Sequence, residues 1–209
     1  EYGKPLDKKF YQPRRHYLRR YVDAYQEILD GKLDFLSISM PKRAGKSQLG
    51  INFTNMLSGK YPDRATLMEG TGDDLVKSFY LGCLEYLTLP SDYHFYDIFP
   101  ESKLVQTNAD TKIINLLHKS RFTTVMCRSI DARQVGLSEA TNLLYLDDCV
   151  EGREEAKNRQ RLDDKWEVIS GDIIGRAIEG TPIVICGTRY SLYDPCLLYT
   201  SPRPRDRSL

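Results

Sequence analysis

Short apolar runs alternate with longer amphipathic stretches along most of this chain. The apolar runs predict buried strands at 36–40, 66–68, 143–146 and 183–186. Helical periodicity runs over 16–29, 46–57 and 73–87 and continues less regularly over 154–178. Ser58-Gly59 is expected to end the second helix, 90–100 to form an aromatic-rich loop, and 112–117 and 122–129 to form a hairpin. Short apolar strands separated by helices indicate an α/β fold with a mostly parallel sheet covered on both faces.

Composition narrows the class of protein. The 209 residues are 41% hydrophobic and 28% charged, which is ordinary for a globular chain. The chain has 30 Lys and Arg residues and 29 Asp and Glu residues, which gives a net charge of +1. This charge excludes a polybasic protein that coats DNA, so any contact with nucleic acid must be made by a local basic patch. No apolar run approaches the roughly 20 residues of a membrane span, so no membrane partner is expected.

The cysteines and the two ends of the chain carry little chemistry. The five cysteines are odd in number, widely spaced and without a C-x-x-C pair, which favours small buried hydrophobes over disulfides or zinc. The chain begins at Glu1, and we expect it to be a fragment. The segment 196–209 lacks any helical or strand period and resembles translated adapter read-through, so we expect a non-native tail.

A candidate phosphate loop lies between the strand predicted at 36–40 and the helix predicted at 46–57. It matches the pattern G-x-x-x-x-G-K-[ST] at Gly45, Lys46 and Ser47, but Met40 stands at the first glycine. Gly45 allows the backbone to approach phosphates, and the amides of the helix N-terminus point at the anion. Lys46 is suited to bridge the β and γ phosphates from a surface loop, and the Ser47 hydroxyl to bind Mg²⁺.

A pair of acids ends the strand predicted at 143–146. Asp147 and Asp148 would project at the carboxyl edge of the sheet, where open α/β sheets bind ligands. One carboxylate can then hold the Mg²⁺ shell, and its neighbour can orient or deprotonate a water molecule. An Asp-Asp turn or a helix N-cap is the structural alternative. Strand alternation sends the two side chains to opposite faces unless the strand ends between them.

Two further segments complete a set of four. Gly187-Thr188-Arg189 follows the strand predicted at 183–186, and residues 11–17 form a Pro-Arg-aromatic cluster before a helix. Together with the loop and the acid pair, they resemble the N-terminal ATPase domain of large terminase subunits, the DNA-packaging motors of tailed bacteriophages and prophages. That family's loop reads like Pro-x-Arg-x-Gly-Lys-Ser, and its usual second acid is Glu, where this chain has Asp148.

The resemblance implies a role for each matched residue. It implies nucleotide contacts from Pro41, Lys42, Arg43, Ala44, Gly45, Lys46, Ser47 and Gln48, from Gln12 and Arg15 on the adenine side, and from Thr188 as a γ-phosphate sensor. Ser47 and Asp147 would hold Mg²⁺, and Asp148 would orient water, with Glu151 in reserve. Arg43 would act as an arginine finger in cis. Alternatively, Arg43 and Arg15 are surface arginines without a ligand, and Thr188 is a structural turn residue.

The resemblance also implies the fold and function of the whole chain. Residues 1–195 would be a P-loop ATPase domain of the additional-strand type, with an adenine-side segment at 1–34 and a core at 35–195. ATP and Mg²⁺ would drive double-stranded DNA into a procapsid in the cytoplasm of an infected bacterial host. Portal protein, a small terminase subunit and further copies in a ring are the implied partners. A helicase-like translocase and a non-catalytic nucleotide-gated module remain alternatives.

Overall fold

Seven strands form one sheet in the part of the chain that the computed structural model describes, residues 12–90, 92–132 and 138–195. The strands are β1 (Phe35–Ser39), β2 (Thr66–Gly70), β3 (Leu104–Asn108), β4 (Ile113–Leu116), β5 (Val125–Ser129), β6 (Leu143–Asp147) and β7 (Ile183–Gly187). Their order is β1-β7-β6-β2-β5-β4-β3, and the first five are parallel neighbours. The prediction of an α/β fold with a mostly parallel sheet is confirmed.

Helices precede β1, join β1 to β2 and β6 to β7, and follow β2. They are α1 (Arg15–Leu29), α2 (Lys46–Lys60), α3 (Asp73–Thr88), α4 (Phe95–Ile98), α5 (Arg153–Ala156) and α6 (Arg159–Glu167), with a π-helical turn at Val168–Ile173 and 3-10 turns at Gln12–Arg14 and Ile174–Arg176. The first three match the predicted helices to within a few residues at each end. After α1, Gly31 adopts a φ of 69°, the left-handed conformation that glycine supplies at helix ends.

Four local predictions need correction or completion. The α2 helix continues through Ser58-Gly59, where a Cβ at Gly59 would overlap the Phe99 ring, so this glycine serves close packing. The region 90–100 contains a short helix, α4, and the helical stretch predicted over 154–178 is divided into α5, α6 and irregular turns. The hairpin of β4 and β5 is confirmed, but the sequence analysis missed β3, which pairs antiparallel with β4.

Apolar side chains fill both faces of the sheet. One cluster joins α1, α2 and α3 to the sheet, with Tyr25, Phe53, Phe79 and Tyr145 among its members. The other packs Trp166 and Ile169 against Leu144 and Ile185. Cys83, Cys127, Cys149 and Cys186 are buried free thiols, which confirms the prediction for these four, whereas Cys196 lies outside the described residues. No helix of the described residues is long and apolar enough to cross a membrane.

The parallel strands bring distant segments of sequence to one edge. Ser39 of β1 is in register with Gly187 of β7, and Cys186 of β7 is in register with Asp147 of β6. Asp147 is in turn in register with Gly70 of β2. Because all four strands point the same way, the loops that follow them meet at their carboxyl ends.

Candidate active site

The candidate phosphate loop turns sharply between β1 and α2. The Met40 amide donates to the Gly187 carbonyl at 3.1 Å, so the loop leaves the sheet beside the end of β7. Arg43 and Gly45 both have left-handed backbone angles, with φ of 63° and 100°. Gly45 stands at the N-cap of α2, where glycine accommodates this angle without a Cβ clash. The turn therefore directs the first residue of α2, Lys46, back over the sheet edge.

Lys46 is a buried residue, which corrects the expectation of a surface-loop lysine. Its side chain is 6% exposed, and its Nζ lies 2.9 Å from Asp147 Oδ1 and 2.6 Å from Asp148 Oδ2. Because β7 lies between β1 and β6, the lysine reaches across the end of one strand to the acids of the next. The fold thus joins the two sequence motifs through one ammonium group.

Burial and charge act against each other in this cluster. Burial by itself would lower the pKa of Lys46, but the carboxylates of Asp147 and Asp148 outweigh it and raise the pKa above the ordinary lysine value. Burial raises the pKa of Asp147, with Lys46 and the Ser47 hydroxyl acting in the opposite direction. Lys46 therefore remains charged at neutral pH and balances part of the negative charge.

A left-handed turn brings the two aspartates to the same side. The strand β6 ends at Asp147, and Asp148 has a φ of 44°. Strand alternation therefore stops between them, and both carboxylates contact Lys46. The Asp148 amide donates to the Cys186 carbonyl at 2.8 Å, which ties the turn to β7.

Thr188 links the acid pair to the candidate phosphate loop. Its amide donates to Asp148 Oδ1 at 3.0 Å, and its hydroxyl donates to the Met40 carbonyl at 3.2 Å. The two bond partners belong to different motifs, the acid pair and the candidate phosphate loop. Thr188 is consequently placed to respond to both segments.

The residues next to Lys46 suit a Mg²⁺ ion. Oδ2 of Asp147 is buried and has no hydrogen-bond partner among the described residues, and the Ser47 hydroxyl faces the same carboxylate. Mg²⁺ in nucleotide sites takes one or two carboxylates, with phosphate and water oxygens completing the shell. The described residues contain no group of three or more His, Cys, Asp or Glu that holds a metal by itself. Ser47 and Asp147 are suited to bind a metal ion whose remaining ligands are phosphate and water oxygens.

The other predicted site residues differ in exposure and in their partners. Arg43 and Arg15 are exposed, and Glu151 is exposed with its amide donating to Glu155. Gln12 begins the first 3-10 turn. Gln48 bonds Asn52 at 3.0 Å. Within the loop, Pro41 and Lys42 are exposed, whereas Ala44 is buried.

Two contacts that sequence reasoning missed hold the loop from outside. The Tyr17 hydroxyl of α1 donates to the Ala44 carbonyl at 3.1 Å, and Lys42 Nζ lies 5.6 Å from the Tyr190 ring centre. Tyr17 is part of the apolar stripe of α1, and nothing in the stripe distinguishes a tyrosine with a specific hydroxyl partner. The helix α1 and the segment after β7 are thereby both attached to the candidate phosphate loop.

Comparison of the chain with protein-family models and with curated proteins returned no match. What the site can do is therefore inferred from its residues and their geometry. A buried lysine, two carboxylates and an adjacent hydroxyl at a strand-to-helix turn form an arrangement suited to a phosphate ester and its metal ion.

Proposed function

We propose that this chain is a P-loop ATPase of the additional-strand type and the motor domain of a viral DNA-packaging terminase. The observation that carries the proposal is the contact of Lys46 with Asp147 and Asp148, residues 101 and 102 positions later in the chain. A chance Gly-Lys-Ser match has no reason to lie against a strand-terminal acid pair. Phosphoryl transfer from a nucleotide to water is the chemistry that uses all three side chains.

The strand order supports the fold type. One strand, β7, lies between β1, which leads into the candidate phosphate loop, and β6, which ends in the acids. This intervening strand is the feature that gives the additional-strand type its name. It also carries Thr188 at its carboxyl end, between the two motifs that a coupling residue must sense.

Each residue of the proposed site has its own role in the reaction. The amides of the turn around Gly45 receive the phosphates, and Lys46 moves from the acid pair to the β and γ phosphate oxygens. Asp148 then accepts a hydrogen bond from the attacking water and orients it toward the γ phosphorus. Ser47 and Asp147 hold Mg²⁺, which when bound neutralises charge that develops on the phosphates.

Three assignments depend more heavily on the terminase resemblance. The exposed Arg43, in the turn of the loop, is proposed to reach the γ-phosphate as an arginine finger in cis. Gln12 and Arg15 are proposed to contact the adenine, and Tyr17 anchors α1, which begins at Arg15, to the loop. Glu151 is exposed and makes no contact with Lys46, so Asp148 is the preferred water-orienting acid.

The proposed substrate track and partners follow from the same resemblance. Local basic patches would bind double-stranded DNA through its phosphates, which fits a chain with a net charge of +1. Portal protein, the small terminase subunit and a ring of identical copies would surround the domain on the procapsid, in the cytoplasm of the infected host.

Phosphate release is the direct test of the proposed activity. The chain is assayed with ATP and Mg²⁺, alone and with linear double-stranded or single-stranded DNA, beside Lys46→Ala and Lys165→Ala, and ATP binding is measured in parallel by calorimetry. Lys165 is the matched control, because it is 7% exposed and also lies against two carboxylates, at 2.6 Å from Glu155 and 3.7 Å from Asp131. We expect turnover in the wild type and in folded Lys165→Ala, and none in Lys46→Ala.

The same assay separates the competing functions. ATP binding without turnover by the wild type would favour a nucleotide-gated module, and absence of both would refute the nucleotide site. Stimulation by double-stranded rather than single-stranded DNA favours a packaging motor over a helicase-like translocase. Genes for a portal protein and a small terminase subunit beside this gene would support the terminase assignment independently.

A further inference from the structure

The loop after β2 contacts the acid pair from the side opposite β7. Thr71, the first residue after the strand, donates its hydroxyl to the carbonyl oxygen of Asp148. Thr71 is 9% exposed, and no sequence motif singled it out. The acceptor is a backbone atom of Asp148, so the bond can affect the conformation of that residue.

The backbone at this point is crowded as well as bonded. Gly70 is in register with Asp147, and a Cβ at Gly70 would lie 3.0 Å from the Asp147 carbonyl oxygen. That distance is shorter than ordinary van der Waals contact. The glycine therefore allows β2 to approach the end of β6 closely, and the close approach brings Thr71 within reach of Asp148.

Each polar atom of Asp148 has a hydrogen-bond partner, and the four partners come from three segments of the chain. Its amide bonds the Cys186 carbonyl, its Oδ1 accepts from the Thr188 amide, its Oδ2 accepts from Lys46, and its carbonyl accepts from Thr71. A non-glycine residue at a φ of 44° is uncommon and persists where its surroundings determine it. The first three bonds come from β7 and α2, so Thr71 supplies the restraint from β2.

We propose that Thr71 is a positioning residue for Asp148. It fixes the left-handed peptide that turns the Asp148 carboxylate toward Lys46 and, in the proposed reaction, toward the attacking water. This inference rests on the proposed ATPase function for its kinetic consequence, but the restraint on the Asp148 peptide is a property of the chain without nucleotide. In the proposed reaction Thr71 acts through the Asp148 backbone, to which its hydroxyl donates.

The test compares Thr71→Val, which removes the hydroxyl at nearly constant shape, with Thr71→Ser, which retains it. Thr181→Val is the matched control: Thr181 is also buried and donates its hydroxyl to a backbone carbonyl, that of Ala140, at 3.0 Å. It precedes β7 and therefore lies at the opposite edge of the sheet. The kcat and KM for ATP are measured for each variant, together with hydrogen exchange of the peptide 145–150 without nucleotide.

We expect Thr71→Val to lower kcat roughly 3- to 10-fold, the rate equivalent of one neutral hydrogen bond, with KM within about twofold of wild type. Thr71→Ser should restore kcat, and Thr181→Val should leave it unchanged. Exchange at 145–150 should be faster in Thr71→Val than in Thr181→Val. Should Thr71→Val fail to fold, Thr71→Ala and Thr71→Ser are compared by the same two measurements.

The outcomes for the two proposals are separable. Wild-type turnover with equal kcat and equal exchange in Thr71→Val would overturn the role of Thr71 and leave the ATPase proposal standing. A wild type without turnover would refute the ATPase proposal, and the exchange comparison would still decide whether Thr71 holds the Asp148 peptide. Loss of kcat in Thr181→Val equal to that in Thr71→Val would also overturn the positioning role.

Discussion

At Lys46, one ammonium group faces two carboxylates in a nearly closed environment. Asp147 is fully buried, and the Asp148 side chain is 28% exposed. Removing one member of a buried charge cluster leaves the others without compensation, which costs more than the intact cluster contributes. The lysine therefore serves the fold as well as the proposed chemistry.

Lys46→Ala is expected to destabilise the chain, because it leaves the Asp147 carboxylate buried and unpaired. The expected loss is about 3–5 kcal/mol in the free energy of unfolding, measured by denaturant titration. Asp147→Asn in the same chain should recover part of the loss, since the double variant buries no unpaired carboxylate at that position. Equal stability of Lys46→Ala and wild type would contradict the buried cluster.

Replacement of Asp147 and replacement of Asp148 are expected to have different effects on nucleotide binding and turnover. Asp147→Asn should weaken Mg²⁺-dependent nucleotide binding as well as turnover, because Asp147 is the proposed metal ligand. Asp148→Asn should leave binding near normal and lower kcat by roughly 10²–10⁴-fold, the range of general base catalysis. Binding is measured by calorimetry with a slowly hydrolysed ATP analogue, and kcat by phosphate release.

Asp148→Glu separates Asp148 from Glu151 as the water-orienting acid. It adds one C–C bond, about 1.5 Å, and introduces the residue more usual in the resembling family, so substantial activity should remain. Glu151→Gln should retain wild-type turnover, since Glu151 is exposed, whereas Asp148 contacts Lys46 directly. Normal turnover in Asp148→Asn together with loss in Glu151→Gln would transfer the role to Glu151.

Thr188→Ala is expected to uncouple hydrolysis from movement, because it removes the hydroxyl bond to the Met40 carbonyl but keeps the amide bond to Asp148. ATP should still bind, while DNA translocation by the full-length motor fails. Thr188→Ser retains the hydroxyl and should translocate. Normal packaging by the alanine variant would reduce Thr188 to a turn residue.

Among the elements, α2 connects the site to the core. It begins at Lys46 and packs on β6 through Gly50, where a Cβ would overlap the hydroxyl and ring of the fully buried Tyr145. Tyr145 is two residues before Asp147 on the same strand, so it projects to the same face. The depth of α2 against the sheet thus determines how Lys46 meets the acids.

Gly50→Ala is expected to destabilise the chain although alanine favours helix. The steric overlap with Tyr145 should cost about 1–3 kcal/mol, against a gain in helix propensity of about 1 kcal/mol. Gly171→Ala is the control, because no atom of the described part of the chain lies within 4 Å of a Cβ there. In thermal melts, Gly50→Ala should lower the melting temperature, and Gly171→Ala should raise it or leave it unchanged. An equal decrease in both variants would contradict the packing argument.

For the whole molecule, the sheet places buried thiols on both of its faces. Burial raises the pKa of Cys83, Cys127 and Cys186, so none of these thiols is ionised in the folded chain at neutral or mildly alkaline pH. In a Cys196→Ser background, alkylation at pH 8 should modify the folded chain slowly and the urea-unfolded chain at once. Rapid modification of Cys83 or Cys127 under native conditions would contradict the packed core.

The same thiols give the stability a defined dependence on pH. In the unfolded chain they ionise near their ordinary pKa of about 8.5, whereas the folded chain keeps their protons. The folded state therefore binds more protons above that pH, and the free energy of unfolding should fall as pH rises from about 8 to 10. Replacement of Cys83 and Cys127 by alanine should reduce this slope in denaturant titrations.

Local pattern was sufficient to predict the parallel core strands, the first three helices and the segments that carry the chemistry. Apolar runs reveal strands because burial on both faces requires apolar side chains at successive positions. The strand-to-helix turn at Gly45 and the acids after Leu146 are likewise defined by neighbours in sequence. The amphipathic edge strand β3, with exposed and half-buried residues, has no such run and was missed.

Only the tertiary structure decided which of these segments contact one another. Strand order placed β7 between the two motifs, which buried Lys46 against Asp147 and gave Thr188 a partner on each side. The left-handed angle of Asp148 overrode strand alternation, and Thr71 entered the site from a strand with no motif. The physical reason is range: side-chain periodicity records which face a residue buries, whereas hydrogen bonds and ion pairs between residues 40 to 148 positions apart exist only after the sheet is assembled.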